Sequence, residues 1–297
     1  TPCGTLFPYT TLFRSKDSAA QIARQVFTTA FKYKFADFIV NSARLLRQHA
    51  AAKGDEKAYE EYDTHIKQFT PVLEAEIQAE ELYQRVVIDY YKPSFQNEDF
   101  PERVDSYCNA LLSLSEQFKD SPIVSYNMYL VWIYRYEMTQ DFQMMLAVCE
   151  QGERFVEENP VYKQHRKMGT FQTKKMAAYL HLRNFRDGRA NAERCLRELE
   201  EGSDAWFAFM EYYFLLSMHT ENYIHAIAIL KEVYGHSKRK KLEAEEVEKW
   251  EMFNGYIGYI TESEGRNNPV LRMQQLKHFS PKRIINDEAA YPKDQRI

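Results

Sequence analysis

The same short pattern opens three helices in this chain: a polar break, then an aromatic residue, then an apolar helical stripe. Phe142-Gln143-Met144-Met145, Phe185-Arg186-Asp187-Gly188 and Tyr223-Ile224-His225-Ala226 carry it, 43 and then 38 residues apart. A helix–turn–helix unit recurring at a period of roughly 34–47 residues marks an α-solenoid, because one such unit buries its apolar face only by stacking on the next. The fold class expected is therefore all-α, an α-solenoid of antiparallel helix pairs. Arrays of this kind offer a curved surface to other proteins or peptides.

The 3.6-residue period runs through the chain from residue 16. Ala19, Ile22, Ala23, Val26, Phe27, Ala30 and Phe31 share one face of a helix. Turn signals then mark boundaries. Gly54 suits a helix C-terminus and Asp55 an N-cap. Thr70-Pro71 and Ser121-Pro122 each read as an N-cap followed by the first helical residue. Asn159-Pro160 stops a helix, since the residue before proline avoids the helical region. Glu201-Gly202-Ser203-Asp204 is a stop followed by a new cap. Stretches 123–138 and 205–218 are apolar nearly all round and are expected to be sandwiched. The helices pair as 35–52 with 55–69, 71–91 with 99–119, 123–139 with 141–158, 163–182 with 185–201, and 203–219 with 221–235. Helices 16–33 and 242–262 lie at the ends, with no strand pattern and no domain-splitting linker between them. Residues 93–101 are the longest loop candidate.

This organisation resembles the tetratricopeptide-repeat (TPR) family. Glu221-Asn222-Tyr223-Ile224-His225-Ala226-Ile227 matches the family's break-Tyr-x-x-Ala-Ile opening of a second helix. Asn184-Phe185-Arg186-Asp187-Gly188 and Asp141-Phe142-Gln143-Met144-Met145 follow it with Gly188 and Met145 where the family has Ala. The Trp-x-x-Leu-Gly opening of the first helix is absent. The resemblance, which extends to a group of bacterial TPR-like proteins, covers most of residues 16–262 and implies binding rather than an activity. Residues 5–15 instead resemble the in-frame translation of a DNA-sequencing adapter. Segment 1–15 is therefore read as non-native and excluded from fold reasoning. Its deletion is expected to leave stability within about 0.5 kcal/mol. Residues 263–297 are weakly patterned, lack a helix stop signal and read as a truncated C-terminal segment.

Composition narrows the function classes. The chain is 44% hydrophobic with 10 Gly and 10 Pro, too few breakers for an all-β protein. The net charge of −4 gives no general attraction to nucleic acid or an anionic membrane. The basic run Lys238-Arg239-Lys240-Lys241 is offset by Glu243, Glu245, Glu246 and Glu248. Cys3, Cys108, Cys149 and Cys195 are too scattered for a disulfide framework or metal knuckle. No apolar run reaches membrane-spanning length. A cytoplasmic location is the expectation, although the adapter-like segment stands where a signal peptide would.

No hydrolase, phosphate-binding or dinucleotide motif appears, and His219 and His225 are the one weak metal pair. No enzyme, cofactor or metal is expected. Two clusters point to binding. One is the aromatic group Tyr126, Tyr129, Trp132, Ile133, Tyr134 and Tyr136, which suits either core packing or a peptide groove. The other is the basic excess Arg183, Arg186, Arg189, Arg194 and Arg197 with Lys174 and Lys175, which suits a solvated face, an acidic peptide, a phosphate or RNA. The partner expected is a protein or peptide. It is expected along the inner surface of 71–91, 123–139, 163–182 and 203–219, contacted by Tyr126, Tyr129, Arg135, Lys174 and Arg183. A ligand- or peptide-sensing module of a larger protein is the alternative, and an RNA-binding repeat protein a third.

Overall fold

The computed structural model describes residues 16–91, 100–164 and 167–261, and the adapter-like segment, most of the 93–101 loop and the 263–297 segment lie outside them. The described residues form twelve α-helices, one short 3-10 turn and no strand. In chain order they are α1 (Lys16–Tyr33), α2 (Ala36–Lys53), α3 (Glu56–Tyr91), α4 (Phe100–Gln117), α5 (Pro122–Met138), α6 (Phe142–Glu158), α7 (Pro160–Gln164), α8 (Met168–His181), α9 (Phe185–Cys195), α10 (Asp204–His219), α11 (Tyr223–Gly235) and α12 (Ala244–Thr261), with the 3-10 turn at Ser237–Lys241 before α12.

The helices are joined by one turn geometry used repeatedly. After α5, α8 and α10 a single residue turns left-handed: Gln140 (φ 58°), Arg183 (φ 53°) and Glu221 (φ 55°). The next N–H then reaches back across the last helical turn: Asp141 to Tyr136 O, Asn184 to Tyr179 O and Asn222 to Ser217 O, each at 2.9 Å. The left-handed residue itself donates to Glu137, Leu180 or Met218. This is the Schellman arrangement, which satisfies carbonyls that a helix end leaves orphaned. The side chains of Asp141, Asn184 and Asn222 then accept the N–H groups of Met144, Asp187 and His225, capping the next helix. The aromatic at the next position is the Phe142, Phe185 or Tyr223 of the sequence pattern. Lys34 and Gly54 make the same turn earlier in the chain.

Several boundary signals hold in three dimensions. Asp55 accepts the Ala58 N–H at 3.1 Å, Ser121 that of Val124 at 3.3 Å and Ser203 that of Trp206 at 3.1 Å. The signal at Thr70-Pro71 does not hold. α3 runs unbroken through Pro71. The Thr70 hydroxyl donates back to Ile66 O at 2.7 Å instead of capping. The expected helices 55–69 and 71–91 are thus one, because Ala75, Ala79 and Val86 continue a buried face beyond the proline. The expected helix 163–182 is also divided, since Pro160 starts the short α7 before α8.

The described residues fall into two compact units, one within Thr1–Val87 and Glu102–Val131, the other within Ile88–Pro101 and Trp132–Ile297. The boundaries pass through α3, the first turn of α4 and α5, not through a linker. In the first unit α1 packs on α2, with Ala20, Ala23 and Leu46 at the centre and Phe27, Leu45 and Tyr62 against them. In the second unit α8 packs against α6, α9 and α10, and α10 against α9 and α11. α8 lies so close to α6 that a Cβ on Gly152 would sit 2.3 Å from the Phe171 ring. α10 is sandwiched as its apolar composition predicts: Trp206, Phe209, Met210 and Phe214 are fully buried.

Candidate functional site

The five expected contact residues are divided between the two units. Tyr126 and Tyr129 fall in the first unit, and Arg135, Lys174 and Arg183 in the second. Tyr126 is 8% exposed, so it serves packing and is withdrawn as an exposed anchor. Tyr129 is half-buried. Half-buried Arg135 lays its guanidinium 5.5 Å from the Trp132 ring and 5.2 Å from the Tyr136 ring, a cation–π arrangement on its own helix.

Lys174 is held more tightly still. Its Nζ donates to both carboxylate oxygens of Glu137, at 2.9 and 2.7 Å, tying α8 to α5. The same nitrogen lies 5.2 Å from the Tyr134 ring and 5.8 Å from the Tyr90 ring, and those two rings meet edge to face at 4.9 Å. Side-chain exposures of 18% for Lys174 and 9% for Glu137 show that both charges are largely withdrawn from water. This pair therefore acts first as a tie between helices. Neither Glu137 nor Tyr90 is marked by any local motif, because the pair joins residues 37 apart.

The neighbouring Lys175 is buried and donates to Glu153 of α6 at 2.8 Å. Arg194 of α9 lies 3.9 Å from the same carboxylate and donates to Asn191 Oδ1 at 3.2 Å. Four of the seven residues in the basic excess, Lys174, Lys175, Arg189 and Arg194, thus have carboxylate partners within the chain, Arg189 through Glu193 at 3.1 Å. Burial pushes the Cys149 thiol up, and that of Cys195 up to about 11, so neither is a thiolate nucleophile at neutral pH.

The two histidines of the weak metal pair are engaged separately. The His219 ring stacks on Phe185 with centroids 5.6 Å apart. His225 Nδ1 lies 2.9 Å from Ser217 Oγ, while that hydroxyl donates to Tyr213 O at 2.9 Å. Burial, followed by the nearby Arg189 charge, lowers the His225 pKa. Ser217 is 3% exposed and lies beneath the surface. Among the described residues no group of three or more His, Cys, Asp or Glu side chains is placed to hold a metal ion. No helix among them is long and apolar enough to cross a membrane.

Some of the basic side chains on and beside α9 are open to solvent. Arg183, Arg186 and Arg197 are exposed. Arg183 sits at the left-handed turn before α9, where its side chain is carried outward at the hairpin tip. A shallow groove of about 380 Å³ lies over the C-terminal half of α9 and the turn after it, lined by Ala190, Glu193, Arg194, Arg197 and Glu198. A second, of about 490 Å³, lies on the first unit between Arg44, Arg47 and Tyr59. There Arg47 is paired with Asp63 and stacked over Tyr59.

No protein-family model, curated protein or solved structure matches the chain.

Proposed function

We propose that this chain is a non-catalytic scaffold, a TPR-like stack of helix pairs that binds a protein or peptide segment. The observation that carries the reading is the recurrent junction at Gln140-Asp141-Phe142, Arg183-Asn184-Phe185 and Glu221-Asn222-Tyr223, where one left-handed turn, one side-chain cap and one aromatic recur in each. A second support is the packing of α8 between α6 and α10, which makes neighbouring pairs share one core. Such a stack holds side chains on rigid helices at fixed spacing, which lowers the ordering cost of binding an extended segment.

Panning a random-peptide display library on the purified chain tests the proposal. Recovery of peptides that bind in solution with micromolar or tighter affinity supports it. A chain that yields no binder is not a peptide scaffold.

A further inference from the structure

We propose that residues 269–283 of this chain return antiparallel to α12 and cover the side of it that carries Tyr256 and Ile260. The contact closes the helix that follows the last pair and is independent of whether the chain binds a peptide. α5, α8 and α10 are each followed, after a short turn, by a second helix, α6, α9 and α11. α12 comes next in that order. Its Trp250, Phe253 and Ile257 are buried, and Phe253 stacks on Phe214 of α10. Met252, Tyr256 and Ile260 follow one another at four-residue steps along another side of the helix. Met252 is buried, whereas Tyr256 and Ile260, one turn apart, are exposed. The segment that continues from Thr261 is tethered to this side, so it acts there at an effective concentration of about the millimolar range. A second copy of the chain has to reach the same side from dilute solution.

Charge selects the same occupant. From Arg266 to Asn286 the chain carries Arg266, Arg272, Lys277, Lys282 and Arg283 and no Asp or Glu. α12 and the two residues before it carry Glu243, Glu245, Glu246, Glu248 and Glu251 against Lys249. Lys249 is paired with Glu211 of α10, and Glu251 with Arg239. Glu243, Glu245 and Glu246 are exposed. Register joins the two patterns. Asn268-Pro269 has the residue types of an N-cap and a first helical position. Residues 262–268 then make the connection, within the range of about two to eight residues usual between antiparallel helices. A return from Pro269 at about 1.5 Å per residue brings Val270 to Ile260 and Met273 to Tyr256. It carries Lys282 and Arg283 back to the acidic first turn of α12, at Glu245 and Glu246. Apolar residues thus meet the exposed apolar end of the helix, and basic residues its acidic end.

Hydrogen exchange of the full chain, read by mass spectrometry, tests the contact. Amides of residues 270–279 should exchange at least about tenfold more slowly than in a free peptide of the same sequence. Tyr256→Asp should remove most of that protection. Lys282→Glu/Arg283→Glu should weaken it without touching α12, so this variant carries the test if Tyr256→Asp lowers helical circular dichroism. Adding Glu245→Lys/Glu246→Lys to the charge-reversed segment should restore the protection, because it rebuilds the pairing with the signs exchanged. Exchange at the free-peptide rate overturns the proposal. So does protection that survives either Tyr256→Asp or the charge reversal, or that the exchanged pair fails to restore. Protection that grows with chain concentration assigns this side of α12 to a second copy and overturns it as well. The peptide-panning result stands or falls separately from all of these.

Discussion

Burial raises the Glu76 carboxyl from near 4.5 to about 7, opposed by the Ser121 hydroxyl and reinforced by the charges of Glu80 and Asp37. Glu76 is 2% exposed, and Ser121 Oγ donates to its Oε1 at 2.7 Å while also capping α5. The folded chain thus holds this proton more tightly than the unfolded chain does. Its contribution is complete below pH 4.5 and is lost as pH rises through about 7. The loss amounts to up to about 3 kcal/mol. Denaturant titrations across that window should show the decline in the native chain and a nearly flat profile in Glu76→Gln, whose amide keeps the acceptor for Ser121. An unchanged slope in the variant would assign the pH dependence elsewhere. No local pattern announces this group, because a glutamate on a helix becomes special only when a distant serine and apolar neighbours close over it.

At the scale of elements, the junctions give opposite lessons. Lys34, Gln140, Arg183 and Glu221 all occupy a left-handed position that usually falls to glycine. A side chain there costs about 1–2 kcal/mol, partly offset by the freedom glycine adds to the unfolded chain. Glu221→Gly should therefore raise stability by about 0.5–1 kcal/mol, read as a higher denaturant midpoint with unchanged slope. Pro71 presents the reverse case. It removes a hydrogen bond inside α3, and an interior proline costs about 3 kcal/mol relative to alanine. Pro71→Ala should raise stability by about 1–3 kcal/mol. A drop instead would mean that the packing of α3 needs the bend proline imposes. Gly188 marks where the TPR resemblance departs from the family's alanine, and a Cβ there would approach Tyr179 Cβ to 3.1 Å.

At the scale of the whole molecule, stability is carried by neighbour-to-neighbour cores. In the second unit Phe214 of α10 stacks on Phe253 at 4.7 Å and meets Trp250 at 6.5 Å, both on α12. Lys249 of α12 donates to Glu211 of α10 at 2.6 Å. Phe214→Ala should cost about 3–5 kcal/mol. In the stack proposed above the damage stays local, so hydrogen exchange should quicken in α10 and α12 well before α6 is affected. Uniform loss of protection would show instead that the second unit unfolds as one cooperative block.

Sequence alone determined that this chain is helical, where most helices begin and end, and that a turn-cap-aromatic junction recurs. Those properties follow from interactions within a few residues: the 3.6-residue period, the Ser121-Pro122 and Gly202-Ser203 stops, and the Asx caps. Tertiary structure decided whether Thr70-Pro71 was a boundary, because its local cost competes with the burial of Ala75, Ala79 and Val86 farther along α3. It also decided which charges are available. Lys174 and Arg183 look alike in sequence, but Lys174 is closed in by Glu137, Tyr134 and Tyr90, while Arg183 stands exposed at a hairpin tip. Pairing across 37 residues depends on how helices stack, and helix periodicity specifies which face is buried without specifying which neighbour buries it.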